Sequence, residues 1–199
     1  MTPHLQDFIH RFEVGEGARW LRGVVALLAF LVVAGLFVLF EYENLSRPAA
    51  MDAAQVARQI ARGDGFTTKF IRPLSVHLLE KRAVALEKLT EDSGRLRQAH
   101  PDLANPPLYP LVLAAAMTAL DPEFQIASPG RFSVHSPDRL VVLVNLGLLL
   151  VLTVVTYLLA RHLFDGFVAS LATLAVVGAA VPWRTAASGE AGTLATLVV

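Results

Sequence analysis

The most prominent pattern along the chain is three long runs without a single charged side chain. They cover residues 23–40, 140–160 and 166–183, and each is close to the roughly 20 apolar residues that cross the hydrocarbon core of a bilayer as a helix. Trp20 and Tyr42 flank the first run, as expected where aromatic rings lie at the two membrane interfaces. The pattern predicts an all-α protein, a polytopic bundle of transmembrane helices.

The second and third runs are predicted to form a transmembrane hairpin, because only the short link 161–165 separates them. The third run is rich in glycine, alanine, serine and threonine, whose small side chains let helices approach closely within a membrane bundle. A polar loop, 184–192, follows it, and the chain turns apolar again at 193–199. We expect a fourth span to begin there. Residues 1–22 form a charged segment before the first span. We interpret this first span as a retained signal anchor.

The long segment 41–139 is predicted to be a loop that carries three helices, at 50–62, 74–98 and 108–120. The first is amphipathic, since its apolar and polar positions recur at helical spacing on opposite sides. These positions are Ala53, Val56, Ala57 and Ile60 on the apolar side and Asp52, Gln55, Gln59 and Arg62 on the polar side. Gly63 is expected to stop this helix, which we predict to lie along the membrane surface. The second helix is interpreted as a charged, solvated one.

The helix at 108–120 has two interpretations, because its apolar run is shorter than a full crossing. It is either a short span or a helix that enters the outer interface and returns to the same side. Four prolines precede or open it, within residues 100–110, and these forbid a continuous helix through that stretch and favour an ordered turn.

Composition excludes several classes of protein. Of the 199 residues, 54% are hydrophobic and only 17% charged, which is too apolar for a water-soluble domain of this size. The net charge is +0, so no overall positive field would attract nucleic acid. There is no cysteine, and none of the six histidines forms a metal-binding motif with carboxylates, so neither a metal site nor a cofactor is predicted.

Three sequence elements, in this order, carry a resemblance to a known family. After the first run comes "MDAAQVARQIARGDGF", then "NPPLYP" at the start of an apolar helix, then "LLARHLFDG" between the paired runs. This resembles the N-terminal part of the family 39 membrane glycosyltransferases, the protein O-mannosyltransferase and aminoarabinose transferase kind, which have the GT-C fold. Family members are far longer, so we expect an N-terminal fragment or a truncated reading frame. The sequence departs from the family pattern at two places. One is the charged insertion at 75–100. The other is Ala53, which follows Asp52 where the family often has an acidic pair.

The resemblance also implies a topology. The loop 41–139 and the loop 184–192 would be extracytoplasmic, and the N-terminal segment 1–22 and the link 161–165 would be cytoplasmic. One crossing must then separate 41–139 from 161–165, and the run at 140–160 supplies it, so the helix at 108–120 need not cross. The implied location is the cell membrane as a multi-pass protein, the inner membrane in a bacterium.

The activity that the resemblance implies is transfer of a sugar from a polyprenyl-phosphate donor to an acceptor at the extracytoplasmic face; it does not identify the acceptor. Asp52 occupies the position of the family's acidic residue after the first span, and a carboxylate there could take the proton of the acceptor hydroxyl. The alternative is an exposed aspartate at the start of a helix, which the helix dipole stabilises.

The remaining candidate site residues would bind substrate. Arg58, Arg62, Lys69 and Arg72 form a basic stretch opposed only by Asp64. It suits a lipid-linked phosphate, although basic side chains beside a bilayer also bind anionic lipid headgroups. Tyr109 belongs to the proline-aromatic element. Glu190 lies in the second outer loop, where it either assists acceptor binding or is merely solvated.

Two other classes stay open. A non-catalytic membrane scaffold or assembly subunit would use the long outer loop to bind a partner protein. A small transporter is the weaker alternative, because the three apolar runs carry no aspartate, glutamate, lysine or arginine, and a coupled-ion path usually requires one.

Overall fold

The computed structural model describes residues 16–42, 45–69, 77, 81, 99–102, 104–124 and 136–198. These residues are mostly helical, with seven helices and one pair of two-residue strands, so the predicted helical class is confirmed for the described part of the chain. The helices are α1 (Glu16–Glu41), α2 (Pro48–Ala61), α3 (Leu108–Leu120), α4 (Ser136–Leu163), α5 (Gly166–Gly178), α6 (Ala180–Ala187) and α7 (Gly192–Val198), and the strands are β1 (Thr67–Thr68) and β2 (His100–Pro101).

The chain divides into two compact units. One comprises Met1–Tyr42 with Thr153–Arg184, and the other comprises Glu43–Leu152 with Thr185–Val199. The predicted helix at 74–98 lies outside the described residues, apart from two helical positions, His77 and Lys81.

Two helices in the described part are long and apolar enough to cross a membrane. These are the Gly23–Glu41 portion of α1 and the whole of α4. Most side chains of the α1 portion are exposed, with only 11% of its apolar window buried inside the protein. Such a surface is stable where lipid replaces water, because a helix satisfies its own backbone hydrogen bonds. Both predicted runs therefore form candidate spans, and α4 extends beyond 140–160 at each end.

The third predicted run forms two helices instead of one. Helices α5 and α6 meet at an angle of 50°, with Ala179 between them in an extended conformation. Pro182 explains part of the break, since a proline has no N–H to donate to the carbonyl four residues earlier. Beside the break, the indole Nε1 of Trp183 donates to a different carbonyl, that of Val177, at 2.6 Å. If this bent pair crosses as one element, it is a third span.

Trp183 also supplies the packing at this break. It is 1% exposed, and its ring lies 5.0 Å from that of Phe30 and 5.4 Å from that of Phe37, nearly parallel to the latter. Arg184 forms an ion pair with Glu41 at 3.8 Å. Aromatic pairs at such separations stabilise a packed interface, so the bend fixes α6 against α1 within this unit.

In the other unit, α2 ends in a Schellman motif. Gly63 adopts a positive φ of 84°, its N–H donates to the Ile60 carbonyl at 3.0 Å, and the N–H of Asp64 donates to the Gln59 carbonyl at 2.9 Å. Only a residue that tolerates left-handed backbone angles ends a helix in this way. The predicted stop at Gly63 is therefore confirmed.

Helix α2 packs against α3, whose bounds are those predicted. Both contribute to one hydrophobic core, whose buried members on these two helices are Ala50, Ala53, Ala57, Tyr109, Leu113, Ala114 and Met117. Residues of α4 and α7, including Val141 and Leu194, complete it. The apolar side of α2 thus contacts protein, where the sequence suggested a membrane surface. Its polar side is partly buried as well, since Asp52 and Gln59 are each 4% exposed.

The two strands join the ends of the loop that follows α2. They are antiparallel, with Thr67 opposite Pro101 and Thr68 opposite His100. The N–H of Asp102 donates to the Phe66 carbonyl at 3.2 Å. This short ladder, which the sequence did not predict, brings residues 99–102, 104 and 105 beside α2.

Candidate functional site

Asp52 lies in the interior of its unit, held by two side chains from distant parts of the sequence. The hydroxyl of Thr68 donates to Oδ1 at 3.0 Å, and Nδ2 of Asn105 donates to Oδ2 at 2.9 Å. Asp52 is only 4% exposed and is the fifth residue of α2, whose first turn contains no acidic residue. The alternative of an exposed aspartate at a helix start is therefore wrong.

A second carboxylate, that of Asp102, lies beside the first. Asn105 Nδ2 donates to its Oδ2 at 2.6 Å, and the N–H of Ala104 donates to its Oδ1 at 3.0 Å. Asp102 is 6% exposed. One amide nitrogen therefore contacts both carboxylates, and we call Asp52, Thr68, Asp102 and Asn105 the carboxylate cluster.

Sequence reasoning found only one member of the carboxylate cluster. Asp102 and Asn105 lie in the proline-rich stretch that predicted an ordered turn, directly before the proline-aromatic element. Polar side chains inside a turn fixed by prolines were the available signal. Thr68 gave no signal, because only the pairing of β1 with β2 places it beside Asp52.

Tyr109 belongs to a second buried network. Its hydroxyl donates to the Gly189 carbonyl at 2.6 Å, and Asn145 Nδ2 donates to the Tyr109 hydroxyl at 2.9 Å and to the Glu190 carbonyl at 3.3 Å. Tyr109 is 2% exposed and Asn145 fully buried. Burial raises the pKa of Tyr109, so the phenol stays neutral and acts as a hydrogen-bond donor.

This network fixes the turn that carries Glu190. Gly189 has a φ of 76°, and a Cβ at this position would require the Leu45 side chain to shift, so the turn strongly favours glycine. The Glu190 carboxylate forms an ion pair with Arg47 at 3.4 Å. The Arg47 side chain is 60% exposed, so this pair contributes at most about 1 kcal/mol to stability.

Arg58 and Arg62 stack on one aromatic ring. The guanidinium carbon of Arg58 lies 4.3 Å from the centre of the Phe124 ring, and that of Arg62 lies 5.5 Å from it. Loss of solvent contact, and then the charge of Arg62, lowers the pKa of Arg58. Within the described part of the chain neither guanidinium has an ion-pair partner.

An open groove contains this arginine pair. Its lining residues are Arg58, Arg62, Asp121, Pro122, Glu123 and Phe124. The sequence suggested Asp64 as the only opposing carboxylate, whereas the fold places Asp121 and Glu123 in the same groove. We call it the arginine groove.

The carboxylate cluster and the arginine groove lie on different sides of α2. Arg58 follows Asp52 by six residues on α2. Six residues of α-helix rise about 9 Å and rotate about 600°, which places Arg58 about a third of a turn around the helix from Asp52. Lys69, which is exposed, follows Thr68 directly. Arg72 is outside the described residues. The fold thus unites Asp52 with Thr68, Asp102 and Asn105, but it does not bring the two arginines to them.

The chemistry available to the carboxylate cluster is that of a paired acid site. Two buried carboxylates with a fixed amide between them can accept protons or bind hydroxyl groups. Among the described residues, no group of three or more histidine, cysteine, aspartate or glutamate side chains is arranged to hold a metal ion.

Comparison with known proteins adds no relative. No protein-family model matches the chain, and no curated protein or solved structure matches it significantly. The function is therefore inferred from the residues themselves.

Proposed function

We propose that the chain belongs to a membrane glycosyltransferase, which transfers a sugar from a polyprenyl-phosphate donor to an acceptor hydroxyl at the extracytoplasmic face. The observation that carries this proposal is the buried carboxylate of Asp52, held in one orientation by Thr68 and Asn105. A general base requires this kind of fixed orientation, because proton transfer depends on hydrogen-bond geometry.

The position of Asp52 in the chain supports a lipid-linked donor. Helix α2 begins at Pro48, soon after the candidate span in α1 ends at Glu41. A polyprenyl chain is confined to the bilayer, so its phosphate and sugar are presented at the membrane edge. A base about 11 residues after the end of a span, counted from Glu41 to Asp52, suits such a substrate.

The proposed reaction is a single displacement at the anomeric carbon. The acceptor oxygen attacks this carbon while its proton passes to the Asp52 carboxylate, and the bond between the anomeric carbon and the phosphate oxygen breaks. The electron pair of that bond leaves with the polyprenyl phosphate. Positive side chains beside the leaving phosphate would stabilise its charge.

Two sources of positive charge are candidates for this phosphate. Lys69 lies next to the carboxylate cluster in sequence, whereas Arg58 and Arg62 offer fixed guanidinium groups without an ion-pair partner in the described part of the chain. A guanidinium can bind phosphate through two parallel hydrogen bonds. If the arginine groove held the donor phosphate while Asp52 acted at the sugar, the donor would have to extend about 9 Å along α2.

The first test is Asp52→Asn in the complete gene product, purified in lipid nanodiscs. The asparagine keeps the shape but accepts no proton, so the transfer rate from a panel of undecaprenyl-phosphate-linked sugars should fall by about 10²- to 10⁴-fold. Asp64→Asn is the matched control, because Asp64 is an exposed aspartate just beyond the C-terminal end of the same helix. A wild-type rate for the Asp52 variant would remove Asp52 as the base.

A second arm of the same assay separates the two phosphate sites. Arg58→Ala should weaken binding of undecaprenyl phosphate if the arginine groove holds it, and Arg58→Lys should restore only part of the affinity because the two-bond geometry is lost. Lys69→Ala should be the damaging change if the phosphate lies at the carboxylate cluster. Absence of transfer from every donor, in a correctly inserted protein, would favour the scaffold alternative.

A further inference from the structure

The arginine groove holds charges of both signs that do not pair with one another. Arg58 and Arg62 line it together with Asp121 and Glu123. Among the residues that the structure describes, none of these four side chains forms an ion pair, and the buried Nε atom of Arg58 has no hydrogen-bond partner. Two cations and two carboxylates therefore remain available to a bound molecule.

An aromatic ring positions the two cations. The guanidinium carbons of Arg58 and Arg62 lie 4.3 Å and 5.5 Å from the centre of the Phe124 ring, where the electron-rich face of the ring attracts their charges. The ring supplies no oxygen acceptor, so the N–H groups of both guanidinium ions still require one. A phosphate group fits this requirement, because a guanidinium can bind two of its oxygens at once.

A turn with a restricted backbone carries the two carboxylates. Asp121 ends α3 in the left-handed region, at φ 40° and ψ 64°, and its N–H donates to the Met117 carbonyl at 3.0 Å. Pro122 follows it, is buried, and restricts the backbone again. The side chains of Asp121 and Glu123 are exposed, so their charges face the solvent and attract cations from it.

The formal charges of these four side chains sum to zero, and this balance determines the class of ligand. A simple anion would be attracted by the arginines but repelled by the carboxylates, and a simple cation would meet the reverse. A molecule that carries both a phosphate and an ammonium group satisfies both pairs at once. The groove has a volume of about 520 Å³, which is within the range of roughly 300–1,000 Å³ for small-molecule sites.

We propose that the arginine groove binds a phosphate–ammonium zwitterion of the phosphoethanolamine type, with the phosphate on the two arginines and the ammonium on the two carboxylates. A membrane lipid headgroup is one source of this chemistry, and soluble phosphoethanolamine is another. Helix α4, a candidate span, contributes Val141 to the core that α2 and α3 share, so the groove belongs to a unit that would meet lipid headgroups. The inference does not depend on glycosyl transfer, because binding is measured without donor or acceptor.

Native mass spectrometry of the complete gene product in maltoside micelles tests the lipid source. It compares phosphatidylethanolamine with phosphatidylglycerol, whose headgroup has the phosphate but no ammonium. Glu123→Gln should weaken binding of phosphatidylethanolamine by about three- to fivefold, as expected for one exposed charge pair, and should leave phosphatidylglycerol binding unchanged or tighter. Asp121→Asn should act in the same direction, and asparagine also tolerates left-handed backbone angles. Arg58→Gln should weaken binding of both lipids by about tenfold.

Asp64→Asn is the matched control for these variants. It removes one exposed carboxylate that does not line the groove, so the ratio of the two lipid affinities should keep its wild-type value. Undecaprenyl phosphate carries no ammonium, so the Asp121 and Glu123 variants test this inference and not the proposed donor site. If the wild-type protein prefers phosphatidylglycerol, or if neither carboxylate variant changes the ratio, the inference is wrong while the transferase assignment stands.

A second arm distinguishes the two sources of the zwitterion. Saturation-transfer NMR measures binding of soluble phosphoethanolamine and of ethyl phosphate, which lacks the ammonium. Selection of phosphoethanolamine that is lost in Glu123→Gln supports a groove that takes the free headgroup. Selection among the lipids alone, with the same loss in Glu123→Gln, supports a membrane lipid as the ligand. Equal binding of the partners in both pairs would overturn the inference.

Discussion

Single residues matter most in this protein where a buried polar group joins distant segments. Tyr109 lies on α3, Asn145 on α4 and Gly189 in the turn before α7, and one phenol hydroxyl connects all three. Because each of these groups is removed from water, each requires its partner. The carboxylate cluster follows the same rule with Asp52, Thr68 and Asn105.

A prediction at this scale concerns the hydroxyl of Tyr109. Tyr109→Phe keeps the ring but leaves the Gly189 carbonyl without its donor, so the free energy of unfolding should fall by about 1–3 kcal/mol. Equilibrium unfolding in mixed detergent micelles would measure it. The control is Tyr157→Phe, whose hydroxyl accepts only an exposed contact from Arg161 and whose loss should cost less than about 0.5 kcal/mol. Equal losses in the two variants would contradict the assigned role.

At the scale of elements, the break between α5 and α6 is the feature with the clearest cause. Pro182 has no backbone N–H for the Gly178 carbonyl, and the indole ring of Trp183 donates to the neighbouring Val177 carbonyl. The same tryptophan is packed against α1. The bend thus combines a local cause, the proline, with a tertiary one, the aromatic contact.

Pro182→Ala tests which of these causes dominates. An alanine restores the backbone N–H, so the two helices should merge and the distance between spin labels at residues 166 and 187 should increase from about 29 Å to about 32 Å. The absence of native cysteine makes this labelling simple.

Pro137→Ala is the control for that measurement. Pro137 is the second residue of α4. A missing N–H costs little there, because the helix contains no carbonyl four residues before it. Its replacement should leave the distance unchanged. If the Pro182 variant also shows the original distance, the packing of Trp183 maintains the bend by itself.

At the scale of the whole molecule, the predicted topology depends on whether α3 crosses the membrane. Helix α3 has 13 residues, a length of about 20 Å against a hydrocarbon core of about 30 Å. It also contributes Leu113 and Met117 to the core shared with α2. Both observations support a helix that does not cross.

Single-cysteine labelling in intact cells decides this topology. Ser93→Cys and Ser188→Cys should react with a membrane-impermeant reagent, whereas His162→Cys should react only after the membrane is made permeable. His162 is exposed at the end of α4, so access to the reagent depends on the membrane and not on burial. Reaction of residue 162 from outside would mean that α3 crosses, and the predicted orientation would be wrong.

The sequence by itself determined the helical class, the two candidate spans and the bounds of α3. These features follow from local chemistry. Uncharged runs of sufficient length must leave water, and Pro107 and Pro122 flank α3 at the points where it begins and ends. Asp52 became a candidate through the family resemblance, because it occupies the position of the family's acidic residue after the first span.

Only the tertiary structure decided what surrounds Asp52. The hydrogen bonds from Thr68 and Asn105 join residues 16 and 53 positions away from it along the chain, and no local pattern records such a pairing. Likewise, only the fold places Asp121, Glu123 and Phe124 in the same groove as Arg58 and Arg62. The reason is physical: periodicity reports which side of a helix is apolar, but the partner that covers that side depends on how the whole chain folds back.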